Sequence, residues 1–147
     1  MEGIVSRPGD GEFLEGEERA LRVKLSRDEL DVLEFEVGPD YEGPGPHFHK
    51  QHVDSFYVLE GELEFTVGGN TIVAPAGTFV AAPPNVVHSF TNASGKPARF
   101  LNVHAPDLGF TELQRARLLN IHAPSTGFHG RLREMSQSAR STAKAGR

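Results

Sequence analysis

Between His47 and Gly61 the chain reads His-Phe-His-Lys-Gln-His-Val-Asp-Ser-Phe-Tyr-Val-Leu-Glu-Gly, which packs three imidazoles and a carboxylate into one short run. In an extended segment alternate side chains share a face, so His47 and His49 point the same way and their ring nitrogens can converge on one ion. Asp54, beyond a short turn, offers a hard oxygen to the same point. A mixture of imidazole and carboxylate suits a divalent transition metal, with Fe, Mn, Ni, Zn, Co and Cu all open. A soft-metal centre would want thiolates, and the chain has no Cys. His52, in the same run, is expected as a solvent-exposed loop residue, with replacement of Asp54 as a ligand, should that carboxylate fall short, as the alternative.

The elements around this run read as short strands. Residues 19–25 alternate Leu21, Val23 and Leu25 with Arg22 and Lys24, and residues 30–37 repeat the pattern through Leu33, Phe35 and Val37. A period of two marks half-buried strands, and the pair reads as a hairpin turning near residues 26–29. Residues 38–46 carry three Gly and three Pro, so they form a loop that delivers the chain to His47. Further strands are expected over residues 55–59, 63–67, 71–74, 78–82 and 86–91. Gly61, Gly68-Gly69-Asn70, residues 75–77 and Pro83-Pro84-Asn85 punctuate them. Ile4-Val5 supports no more than an arm or an edge strand. With almost no helical period before residue 107, the pattern predicts an all-β sandwich or barrel.

Two segments then resemble the paired signatures of the cupin superfamily. The first runs His47-x-His49, four residues, Asp54, six residues, Gly61. The second runs Gly77, five residues, Pro83, x, Asn85, two residues, His88, three residues, Asn92. The resemblance implies a double-stranded β-helix, or jelly-roll barrel, followed by a short C-terminal helix. It also implies that His47, His49 and His88 are metal ligands, with Asp54 at the fourth position. Asp stands where the family usually has Glu, one methylene longer, so Asp54 is open as ligand, as water-bridged ligand or as a catalytic base beside the ion. Asn85 replaces a usual Gly, and the Gly expected before His47 is shifted to Gly43 or Gly45.

The resemblance further implies a metal-dependent small-molecule protein. Dioxygenases of enolic and phenolic substrates are the leading case, with metal-dependent isomerases or lyases and non-catalytic ligand sensors as alternatives. Phe56 and Val58 share a face with Asp54, and Phe90 shares one with His88. They either line an apolar pocket or fill the barrel. Tyr57 alternates away and is expected to pack against outer strands, and Asn92 is expected to hydrogen-bond a strand end.

From Ala98 the chain reads Ala-Arg-Phe-Leu-Asn-Val-His-Ala-Pro-Asp-Leu-Gly-Phe, and from Ala116 Ala-Arg-Leu-Leu-Asn-Ile-His-Ala-Pro-Ser-Thr-Gly-Phe. This near-repeat reads as a tandem duplication, 98–115 and 116–133. Each copy is expected as a strand leading to a helix capped by Asp107 or Ser125. The first copy is expected to close the barrel, with residues 118–122 as an extra strand at an edge or across a homodimer interface. His104 and His122 are equivalent; bonding to backbone at a strand end is the favoured expectation, with one of them facing the pocket near the metal as the alternative.

The domain reading is an N-terminal arm over 1–18, a barrel over 19–133 and a basic tail over 134–147. A formal net charge of -5 over 147 residues argues against a nucleic-acid partner. No apolar run is long enough to span a bilayer, and a cytoplasmic location is expected.

Overall fold

The computed structural model describes residues 2–119. Nine strands and one helix follow one another as β1 (Glu12–Glu15), β2 (Arg19–Arg27), β3 (Leu30–Val37), β4 (Val53–Glu60), β5 (Glu62–Val67), β6 (Asn70–Pro75), β7 (Phe79–Ala82), β8 (His88–Thr91), β9 (Ala98–Ala105) and α1 (Phe110–Leu118). Two antiparallel sheets result, a six-stranded one in the order β1-β2-β3-β9-β4-β7 and a three-stranded one in the order β6-β5-β8. This is the jelly-roll sandwich that the resemblance implies, with the short helix after it.

Alternation decides which residues face inward. Along β9 every second side chain is buried, beginning with Ala98 and Phe100. The same holds on β3 for Leu33, Phe35 and Val37. These inward rows meet Phe65 of β5 and Phe90 of β8 from the smaller sheet. Phe35 and Phe100 stack with centroids 5.3 Å apart. Phe56 packs 5.0 Å from Phe65 and 5.3 Å from Phe90. The Phe-rich composition thus becomes one aromatic core between the sheets, where burial supplies most of the stabilisation.

Two turns depend on unusual backbone. Gly61, between β4 and β5, has φ 75°, and a Cβ there would lie 2.6 Å from the Pro97 carbonyl oxygen. Asn85 takes φ 69°, so Asn does replace the expected Gly in a left-handed conformation. Its backbone N–H donates to the His49 carbonyl at 2.7 Å, tying the β7–β8 turn to the histidine run. Asn85→Val is expected to cost about 1–2 kcal/mol, because a β-branched residue pays the full left-handed penalty. Denaturant melts should show it as a lower midpoint, and Asn85→Gly should show no such loss. Gly43, not Gly45, fills the loop position that needs glycine: it has φ 66°, and a Cβ would lie 2.0 Å from the Phe90 carbonyl oxygen.

Ile4 and Val5 are exposed and lie in no strand, as the arm of the two open readings would have it, and the edge strand of that region is β1, where Leu14 reaches the core. Several other expectations fail for physical reasons. Tyr57 is 41% exposed, because its neighbour β7 is the sheet edge and none of the described residues covers that face. Asp107 does not cap α1. Its Oδ1 accepts from the Gly109 N–H at 2.7 Å, and Gly109 is the N-cap. Buried Asp31 of β3 serves the helix start, accepting from the Thr111 N–H at 3.0 Å and from the Thr111 hydroxyl at 2.7 Å. Ala116, Arg117 and Leu118 continue α1, so the start of the second copy is helical where the matching residues of the first copy are in β9. The rest of that copy, with His122 and Ser125, and the tail lie outside the described residues. The Asn92 expectation is met: its Nδ2 donates to the Gly38 and Lys96 carbonyls at 2.9 and 2.7 Å.

Candidate metal centre

Three elements bring the donors together. His47 and His49 lie on the segment before β4, Asp54 is the second residue of β4, and His88 opens β8. An isolated bridge between His47 and His88, with backbone hydrogen bonds of 3.1 and 2.8 Å, fastens the histidine segment to the smaller sheet. One donor atom from each of His47, His49, Asp54 and His88 lies within 4.8 Å of the other three. Asp54 Oδ2 is 2.9 Å from His88 Nε2 and 3.2 Å from His49 Nε2. Ligands around a tetrahedral ion with bonds of about 2.1 Å sit roughly 3.4 Å apart, so the short carboxylate reaches far enough. His49, Asp54 and His88 are buried and His47 is half-buried, so the cluster opens on the His47 side.

The ring tautomers fit a metal. His47 Nδ1–H donates to the Gly45 carbonyl at 2.9 Å, and His88 Nδ1–H donates to the Val86 carbonyl at 2.9 Å. A neutral imidazole that donates from Nδ1 keeps its lone pair on Nε2, the nitrogen a metal takes. The Nε2 lone pair of His88 then faces a carboxylate oxygen, and two electron-rich atoms at that distance need a cation or a proton between them. The cluster is able to hold a divalent metal.

Electrostatics agree. Burial, reinforced by His88, pushes His47 down to about 4. Burial also lowers His49 against the opposing pull of Asp54. Burial alone would raise Asp54, but the imidazoles of His104, His49 and His88 hold its carboxyl well below the usual range. For His88 the hydrogen bond to Asp54 outweighs burial and raises its pKa. His52 is pushed down to about 3 by burial and by its neighbours His49 and His104.

These directions fix a stability–pH expectation for chelator-treated protein. His47 and His52 have folded pKa values below the unfolded one, so their contribution is present above about pH 6.5 and is lost as pH falls toward 4 and 3. His88 acts in the opposite sense, with a single raised pKa against two large depressions. The melting temperature is therefore expected to fall steadily below pH 6.5, as thermal melts across pH 4–8 would reveal. A flat profile would contradict the buried neutral imidazoles.

Two histidines differ from expectation. His52 is 2% exposed, because the loop folds back and its ring stacks on His49 with centroids 4.1 Å apart. His104 does not bond to backbone: it is 1% exposed, with Nε2 3.0 Å from Asn102 Oδ1 and 3.2 Å from Asp54 Oδ1. Asn102 Nδ2 donates to Asp54 Oδ1 at 2.7 Å. Both residues were legible in principle, since they continue the inward alternation that starts at Ala98 and Phe100. Phe56, Val58 and Phe90 are buried in the aromatic core, and the Phe56 ring lies 6.3 Å from that of His88.

Known proteins resemble this chain in the same region. Residues 33–104 match the family model Cupin_2, described as a cupin domain. Quercetin 2,3-dioxygenase of Bacillus subtilis (strain 168) is 28% identical over 89 residues, which are 58% of this chain and 26% of that protein. The chain therefore spans only about a quarter of that relative's length. Among solved structures, the polyketide cyclase RemF from Streptomyces resistomycificus is 27% identical with a TM-score of 0.60, over 73% of this chain and 81% of that one. KdgF from Halomonas sp. has a TM-score of 0.65 at 16% identity, over 72% of this chain and 96% of that one, a likeness of fold alone. The two signature segments, the jelly-roll sandwich that carries them and these matches make the protein a member of the cupin superfamily.

Proposed function

We propose that the protein is a metal-dependent enzyme acting on an enolic or phenolic small molecule, with dioxygenase chemistry as the leading reaction. The observation that carries this reading is the convergence of His47, His49, Asp54 and His88 on one point, with two ring tautomers already set for ligation. The similarity to a quercetin 2,3-dioxygenase supports the substrate class.

In this reading the three imidazoles ligate through Nε2 and Asp54 through Oδ2. The bound ion supplies Lewis acidity and a template that orients the substrate enolate. Asp54 serves as ligand more readily than as free base, because both oxygens are engaged and its depressed pKa makes it a weak proton acceptor. Half-buried His47 marks the side from which substrate enters, and the Phe56 ring, 6.3 Å from that of His88, gives the core side of the cluster an apolar neighbour, with Phe90 packed against Phe56. Val58, fully buried, belongs to the same core. A homodimer belongs to the same reading, with exposed Phe79 on edge strand β7 and its cross-strand partner Tyr57 as the apolar face available to a second copy.

The similarity to a polyketide cyclase favours a second reading, in which an enolic substrate is cyclised without oxygen. Oxygen uptake and product mass, measured over a panel of flavonols and polyphenolic ketones, separate the two. Uptake that disappears in His88→Ala is the expected result. Turnover without uptake would favour cyclisation, and uptake unchanged in His88→Ala would remove the metal from either account.

A further inference from the structure

The Asp54 carboxylate is held on two sides by different kinds of group. Oδ2 faces His49 and His88, whereas Oδ1 accepts from Asn102 Nδ2 at 2.7 Å and lies 3.2 Å from His104 Nε2. We infer that Asn102 and His104 are positioning residues that retain Oδ1 and so present Asp54 to the ion through Oδ2 alone. The inference rests on the metal-centre reading above and adds how the shorter carboxylate is aimed.

The register of the large sheet builds this device. His104 of β9 stands directly opposite Asp54 of β4, and Asn102 stands opposite Phe56. Asn102 has no freedom to flip its amide. Nδ2 donates both to Asp54 Oδ1 and to the Ser55 carbonyl at 3.0 Å, and Oδ1 faces His104 Nε2 at 3.0 Å. Two acceptors on one end and a donor on the other specify a single orientation. His104 donates from Nε2, and its ring lies flat on Phe110, with centroids 4.0 Å apart and planes 17° from parallel. Phe110 opens α1, whose next residue, Thr111, is bound by Asp31, the β3 residue opposite His104 on its other side. The helix therefore anchors the imidazole, the imidazole fixes the amide, and the amide fixes the carboxylate. Asp54, Asn102 and His104 are each at most 3% exposed, so water does not compete for these bonds.

Metal centres lose roughly 10–100-fold in affinity when a group that orients a ligand is removed. The full chain carrying His104→Leu, His104→Gln or Asn102→Ser is titrated with Co2+ beside the wild type, with visible d–d spectra and thermal melts recorded for each. Leu keeps an apolar surface against Phe110 but has no donor, and Ser is too short to reach Asp54. Both are expected to bind Co2+ roughly 10–100-fold more weakly, with an altered d–d spectrum. Gln places an amide N–H where the imidazole Nε2–H stood, and is expected to restore affinity and spectrum toward wild type. Folded Leu and Ser variants that bind with wild-type affinity and spectrum would overturn the inference, as would a Gln variant no better than Leu. If only one of the Leu and Ser variants folds, that one decides. Wild type that takes up no Co2+ would sink the metal centre itself, and this inference with it.

Discussion

His88→Ala is expected to abolish stoichiometric metal binding while leaving the β-sheet spectrum intact. His88 is the candidate donor contributed by the smaller sheet, and its Nε2 makes the closest imidazole contact to Asp54 Oδ2, at 2.9 Å. Removing it takes one imidazole from four candidate donors and leaves Asp54 Oδ2 without its nearer imidazole. The loss in affinity should exceed the roughly 10–100-fold seen when only an outer-shell partner is removed. The fold should survive, because His49, Asn102 and His104 still contact Asp54 and the aromatic core is untouched. Equilibrium dialysis against Zn2+ or Co2+, with circular dichroism alongside, checks both halves. Metal retained at wild-type affinity would remove His88 from the centre.

Phe65→Ala is expected to give the largest loss of stability of any core truncation here. Phe65 is fully buried and is the β5 residue on which Phe56 and Phe90 converge, with ring centroids 5.0 and 5.6 Å away. Truncating a buried Phe costs about 3–5 kcal/mol, from lost transfer free energy and from the cavity left behind. For a chain of this size each kcal/mol lowers the melting temperature by about 2–4 °C. Urea melts should show a large fall in midpoint with little change in slope. Phe79→Ala, which removes a ring already 63% exposed, should change the midpoint far less. Equal effects would mean that the core does not centre on Phe65. Because Phe56 also lies 6.3 Å from His88, loosening this cluster should weaken metal binding too.

Much of the fold was readable from local pattern. Period-two alternation marked β2 and β3, paired glycines marked the β5–β6 turn, and the two spaced signatures contain the four side chains that the fold gathers, His47, His49, Asp54 and His88. Asn85 held its turn because Asn tolerates positive φ, and Asp54 reached the other donors because β4 brings its backbone close. What escaped depends on tertiary partners. No local feature marks Asp31 as the residue that binds the start of α1, since its partner Thr111 is eighty positions away. The stretch Ala-Arg-Phe-Leu is strand at Ala98 because β3 and β4 flank it, whereas Ala-Arg-Leu at Ala116 continues a helix already under way. The burial of His52 likewise comes from stacking on His49, which no spacing rule conveys.

Asn102 and His104 carry the broader lesson. Polar residues that continue a buried apolar row need partners of their own, and here those partners are the Asp54 carboxylate and each other. The cluster at His47 to Asp54 is thus only half of the centre. The other half is on β8 and β9, and the register between β4 and β9 joins them.

X-ray absorption at the edge of the metal bound to the purified wild-type protein tests the central claim most directly. One ion per chain is expected, with three imidazole nitrogens at about 2.0–2.1 Å and one carboxylate oxygen at about 2.0–2.2 Å if the metal is zinc. Protein without stoichiometric metal, or an ion with fewer than two imidazoles around it, would contradict it.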